Sequence, residues 1–179
     1  MGYWNSRGLR GDDLEEQINR TNELYREKGL ALVQKIPTPI KPVRIDSQNR
    51  NITLAYFEQK STVDYIGVVQ GVAICFDAKE TTKNFLPMGN IHAHQVAFME
   101  EFKAQGGIAF FIVHFKKYDT YHFLPIEVLK PLYDEAQKGG RKSIPYEVFE
   151  RVYAIPMERG IYLHYLKALE NYMKAMSGQ

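Results

Sequence analysis

Along this chain, stretches whose apolar residues recur every three to four positions give way to stretches where they recur every two, and the change of period outlines the elements. "LEEQINRTNELYREKG" sets Leu14, Ile18, Leu24 and Tyr25 near one face of a helix, with Asp12 or Asp13 placed to cap it and Gly29 to end it. A short strand, "LALVQKI", follows. In "PTPIKPVRIDSQNRN" the prolines at 37, 39 and 42 exclude a helix and a central strand, yet alternation resumes in "ITLAYFEQ". "STVDYIGVVQGVAICFDAKET" predicts a hairpin turning at Gln70 and Gly71. A helix is expected from about Asn90, with Val96, Met99, Phe102 and Lys103 on its inner side and Gly106 and Gly107 at its end. "IAFFIVHF" reads as a buried strand, "TYHFLPIE" as a more polar one, and "IEVLKPLYDEAQ" as a short helix containing Pro131. An amphipathic helix, "GIYLHYLKALENYMKAM", closes the chain, its methionines and tyrosines suited to core or to a dimer surface. The order predicts an α/β fold with a mixed central β-sheet flanked by helices, in a single domain over residues 1–179 with an insertion at about 34–56.

Composition narrows the function classes only slightly. Apolar and charged fractions are those of an ordinary globular protein, and a net charge of +2 supplies no global attraction to nucleic acid, so local clusters must carry any such case. The single cysteine, Cys75, excludes a disulfide framework and fits a reducing cytoplasm, the expected location. No apolar run reaches transmembrane length and no signal-peptide core opens the sequence, so no membrane partner is expected.

The hairpin carries the candidate chemistry. With period two, Cys75, Asp77 and Lys79 share one face of the second strand, while Ile74, Phe76 and Ala78 anchor the other. Asp64 lies across the hairpin, twelve residues before Asp77 and about as far from the turn, so the two carboxylates face each other. Two converging carboxylates suit Mg²⁺ or Mn²⁺, which retain waters and take phosphate oxygens. A lysine beside them can orient water or stabilise charge on a phosphoryl transition state. The spacing equally allows a cross-strand ion pair on a solvated face. Lys35, Lys41, Arg44 and Arg50, against Asp46 alone, make the proline-rich segment a stiff basic protrusion, suited to phosphate contacts or simply to solvent. His92 and His94 form an HxH pair without a third histidine or a cysteine nearby, which argues against zinc.

A glutamate on the first helix, then an aspartate and an (Asp/Glu)-x-Lys on a hairpin, resembles the restriction-endonuclease-like nuclease core. More closely, the chain resembles the RecU family of Holliday-junction resolvases. The resemblance rests on "RGDDLEEQINRTN", "KIPTPI", "AYFEQKSTVDYIGV", "FDAKET", "HAHQVAFMEEFKAQGGIAFFIV" and "GRKSI", in the family's order from residue 10 to about 155. It implies metal ligation by Asp64 and Asp77, a catalytic Lys79, and supporting roles for Glu15 and Gln95. It places the base of a proline-rich stalk, which enters the junction centre, at Lys35 and Thr38. Ser61, Thr62, Arg7, Arg10, Arg141 and Lys142 join the basic residues of the protrusion as expected DNA contacts. The implied protein is a Mg²⁺-dependent homodimeric resolvase, with a RecA-type recombinase as a further partner. Glu15 as a solvated helix carboxylate, Gln95 as a helix-end amide, and Ser61 and Thr62 as strand residues are the plainer alternatives. For the whole protein they are a nuclease acting on ordinary duplex and a non-catalytic recombination modulator. Two departures stand out. Asp77 occupies a position where the family usually has glutamate, and the family's long basic N-terminal tail is missing, which leads us to expect weaker DNA affinity.

Overall fold

The computed structural model describes residues 14–49, 51–57, 62–158 and 160–178. Its centre is a six-stranded mixed sheet, in spatial order β1 (Leu32–Lys35), β4 (Tyr65–Val69), β5 (Val72–Thr81), β7 (Ile108–Phe115), β8 (Thr120–Pro125) and β10 (Tyr153–Ala154). Neighbours run antiparallel except β5 and β7, which are parallel in register from Ile74↔Ile108 to Thr81↔Phe115. A parallel pair needs a crossover, and α2 (Ala93–Ala104) lies within it.

Helices cover both faces. Leu14, Ile18 and Tyr25 of α1 (Leu14–Glu27) and Tyr165, Ala168 and Leu169 of α5 (Tyr165–Met176) pack with Ile74, Phe76, Phe110 and Ile112 on one side. Val96 and Met99 of α2 and Leu129 of α3 (Ile126–Gln137) pack with Cys75, Phe111 and Val113 on the other. This removes the solvated face from the alternative ion-pair reading of β5: Cys75 and Asp77 are as fully buried as Ile74 and Phe76, because β5 is an inner strand between two helical layers. "TYHFLP" is likewise no polar strand, since Tyr121, His122 and Leu124 are all buried. α2 begins at Ala93 rather than Asn90, after a 3₁₀ turn at Met88–Asn90. Lys103 lies on the outside of α2, paired with Glu127 at 3.0 Å. The caps proposed at Asp12 and Asp13 lie outside the described residues.

Local chemistry sets the β4–β5 hairpin. Gln70 (φ 47°) and Gly71 (φ 90°) both occupy left-handed backbone, as a type I′ turn requires. A Cβ on Gly67 would lie 2.4 Å from the carbonyl oxygen of Leu32, so only glycine lets β1 approach β4.

The proline-rich segment forms a separate antiparallel ribbon of β2 (Ile40–Asp46) and β3 (Asn51–Phe57). Its register shifts between Pro42 and Arg44, and again between Arg44 and Ile45, a bulge that accommodates a residue with no N–H to donate. Asp46 closes the ribbon by accepting the N–H groups of Gln48 (3.0 Å) and Asn49 (3.3 Å) and the Asn49 amide (2.8 Å). Ile45 and Tyr56 remain 63% and 54% exposed. Among the described residues, no helix is long and apolar enough to cross a membrane. The remaining elements are β6 (Phe85–Pro87), which pairs with β9 (Ser143–Pro145), and the short α4 (Tyr146–Phe149).

Candidate active site

The hairpin register sets the two aspartates against each other. Tyr65 pairs with Phe76, so Asp64, one residue before β4, stands beside Asp77. The Asp64 carboxylate is fixed by the backbone N–H of Ala78, which donates to Oδ2 at 3.0 Å. Asp77 is completely buried, and both its oxygens are occupied. Oδ1 takes the Lys79 ammonium, which is itself only 14% exposed, and Oδ2 accepts from the Gln95 amide at 2.5 Å. Gln95 in turn accepts the backbone N–H of His92 through Oε1 at 3.1 Å, completing a capping box at the start of α2. One glutamine therefore ties the crossover helix to the central carboxylate.

Burial is the chief reason that the Asp77 carboxyl is pushed up to about 7; the nearby Asp64 charge adds to it and Lys79 opposes it. Asp64 and Asp77 thus bring two like charges together in a dry setting, where a cation would relieve the repulsion. The donor set is hard oxygen throughout. Among the described residues no three His, Cys, Asp or Glu side chains gather as a metal cage. Two carboxylates are as many as Mg²⁺ or Mn²⁺ would need from the protein, the remaining positions being filled by water and phosphate. Cys75 shares the Asp77 face but is pushed up to about 12 by burial, so its thiol stays protonated and inert.

The structure thus brings together Asp64, Asp77, Lys79 and Gln95. It does not bring Glu15 into that set: the Glu15 carboxylate pairs with Lys35, where α1 meets the base of the ribbon. α1 is linked to the site through Tyr65, whose hydroxyl donates to the Asn19 side chain (3.0 Å) and lies 3.3 Å from the Glu15 carbonyl. Thr62 is exposed just ahead of the buried Val63, and Thr38 is exposed between β1 and β2. Lys41 and Arg44 are exposed on the ribbon, and Arg141 and Lys142 in the loop before β9. Arg7, Arg10, Arg50 and Ser61 lie outside the described residues. A cavity of about 580 Å³ opens elsewhere, between α5 and the β4–β5 turn, and none of the site carboxylates lines it.

Sequence reasoning missed Glu80. It accepts the backbone N–H of Leu14 at the start of α1 (3.3 Å) and pairs with Lys116 (2.8 Å). His114 Nδ1 lies 3.4 Å from the same carboxylate. Its place directly after Lys79 was the only available signal; its partners come from β7, the loop after it, and α1.

The sequence matches the family of recombination protein U, RecU, over residues 9–171, and the chain belongs to that family. It is 42% identical over 167 residues to the Holliday junction resolvase RecU of Geobacillus kaustophilus, covering 90% of this chain and 84% of that protein. To the Holliday junction resolvase RecU of Lactococcus lactis it is 48% identical over 142 residues, 77% of this chain and 66% of the other. Among solved structures it resembles Hjc, a Holliday junction resolvase from Archaeoglobus fulgidus, with a TM-score of 0.45 and 13% identity over 76% of this chain and 92% of that one.

Proposed function

We infer that this RecU-family chain is an endonuclease that resolves four-way DNA junctions. The observation that carries the chemistry is the fully buried Asp77, held between Lys79 and Gln95 with Asp64 opposite it across the hairpin. Asp64 and Asp77 are the residues that would hold Mg²⁺, or Mn²⁺ in its place. When bound, that cation polarises a phosphoryl oxygen and lowers the pKa of a bound water. Lys79 sets a positive charge where the phosphoryl oxygens gain negative charge in the transition state. Gln95 and the Ala78 N–H keep the two carboxylates oriented, so little reorganisation is left for the reaction step.

Junction selectivity is assigned to the ribbon. Among the described residues it pairs only with itself, is mostly exposed and carries Lys41 and Arg44, so it can reach the open centre of a junction but gains little on a straight duplex. Two copies of the chain would cut the two opposed strands, as C₂ symmetry duplicates the site. Exposed Met173 and Met176 on α5 and Leu32 on the edge strand offer apolar surface for that pairing.

Replacing residues 40–57 with a short Gly-Ser turn removes the whole ribbon while leaving the central sheet. The expected outcome is a folded protein that retains weak duplex binding and loses junction selectivity and cleavage. Binding and cutting would be compared on a four-way junction and a matched duplex at several salt concentrations, with solution mass from light scattering. An unchanged junction-to-duplex ratio removes the ribbon as shape reader, and a monomer with full paired cutting removes the dimer.

A further inference from the structure

Two lysines far apart in sequence, Lys83 and Lys116, line one cleft beside the catalytic strand, with the backbone of a basic loop adjoining it. A cleft of about 360 Å³ opens at the carboxyl ends of the parallel strands β5 and β7, lined among others by Glu80, Thr81, Thr82, Lys83, Asn90 and Lys116. Arg141 and Lys142 stand next to it: the Lys142 carbonyl accepts the N–H of Met88 at 3.0 Å, and β6 is zipped to β9 by the Pro87↔Ser143 pair. Thr81 lies on the same face as Lys79 and two residues further along, about 7 Å away.

Lys83 is held in position rather than left to wander. Its backbone N–H donates to Thr81 Oγ1 at 3.1 Å, and the Thr81 hydroxyl donates to the Phe85 carbonyl, also at 3.1 Å. Its ammonium sits over the Phe85 ring, 5.2 Å from the centroid. Among the described residues no carboxylate pairs with it. Glu80 is the one acid in the lining, and its charge is spent on the Lys116 ammonium and the Leu14 N–H. Lys116, its side chain half exposed, holds a positive charge at the cleft wall through its pairing with Glu80. The exposed Thr82 and Asn90 add neutral donors.

We propose that this cleft binds a backbone phosphate of the cleaved DNA strand, a few nucleotides from the scissile one, with Lys83 as its principal contact. A compact ammonium with hydroxyl and amide donors around it matches a phosphodiester, which such groups position without reading sequence. Successive phosphates on one strand advance about 3.4 Å along the duplex axis, so a strand held at Lys79 delivers another phosphate to the cleft within a few nucleotides. The cleft fixes the direction in which the strand crosses the site. The assignment rests on the nuclease reading above.

Lys83 is exposed, so Lys83→Ala and Lys83→Arg leave the fold intact. Four-way junctions carrying one neutral methylphosphonate at successive positions around the cut site supply the probe, with binding measured against salt. For the wild-type chain one flanking methylphosphonate should lower affinity about as much as Lys83→Ala does. On Lys83→Ala that modified junction should show no further loss, and Lys83→Ala should reduce the slope of log affinity against log salt by about one. Lys83→Arg should restore most of both. A wild-type chain that binds junctions while Lys83→Ala matches it in affinity and slope overturns the cleft and leaves the nuclease reading standing. A wild-type chain that binds no junction overturns both.

Discussion

Two hairpins follow one another in this chain and meet opposite fates. β4–β5 joins the central sheet, is covered by helices on both faces and encloses the charged pair Asp77 and Lys79. β2–β3 pairs only with itself and leaves Ile40, Val43, Ile45, Ile52, Leu54 and Tyr56 in solvent. Charge is inside one and apolar surface outside the other, the reverse of ordinary practice. Each inversion has a cost that a stable monomer has no need to bear. In the first, burial raises the Asp77 carboxyl to about 7; in the second, a two-stranded ribbon gains almost nothing from its apolar side chains. On the proposed function both costs belong to ligand sites, a cation at one and DNA at the other.

The sharpest way to break the comparison is to neutralise the buried charge. Asp77→Asn and Asp64→Asn should each abolish junction cutting in Mg²⁺ while leaving junction binding near wild type, because phosphate contacts elsewhere carry the affinity. Gel assays of binding and single-turnover cutting check it; near-normal cutting by either variant excludes the aspartates as cation ligands. Stability gives an independent readout. In the cation-free protein the Asp77 carboxyl is raised, from 3.8 unfolded to about 7 folded, so the unfolded chain ionises first and stability falls as pH rises through that window. His122 works the other way. Burial lowers it from 6.5 to about 4, so its contribution is lost as pH falls between those values. Asp77→Asn should therefore match wild type near pH 4 and exceed it at pH 8 by up to ~4 kcal/mol, in chelator, by denaturant unfolding. No gain at pH 8 would mean that Asp77 is not strained by its burial.

A smaller effect compares the apolar residues of the two hairpins. Ile74→Ala should cost about 2–5 kcal/mol, as for any fully buried isoleucine, whereas Ile52→Ala on the ribbon should stay within about 0.5 kcal/mol. Equal costs, measured by chemical denaturation, would show that the ribbon packs against something in solution. Smaller still, Lys79→Ala should slow cutting about 10²-fold with little change in junction affinity. Unimpaired single-turnover chemistry would reduce Lys79 to the structural partner of Asp77.

Local chemistry along the chain was enough to determine a good deal. The Gln70-Gly71 turn places Asp64 opposite Asp77, because a two-residue turn leaves one register for the strands it joins. The prolines at 37, 39 and 42 kept their segment out of the central sheet, since a residue without an N–H cannot serve an inner strand. The helix periods located α1, α2 and α5, apart from a few residues at the starts of α2 and α5, and "IEVLKPLYDEAQ" is α3 as expected. What lay beyond sequence was coverage. Alternation told which residues of β5 share a face, but not that α2 and α3 close over that face, which turns a solvated ion pair into a buried one. Nor could it show Gln95 reaching Asp77 from the next helix, Glu15 committed to Lys35, or Glu80 gathering the start of α1 with His114 and Lys116. Those contacts join residues far apart along the chain, and their energies depend on how much water the packed helices exclude, a quantity that only the tertiary structure sets.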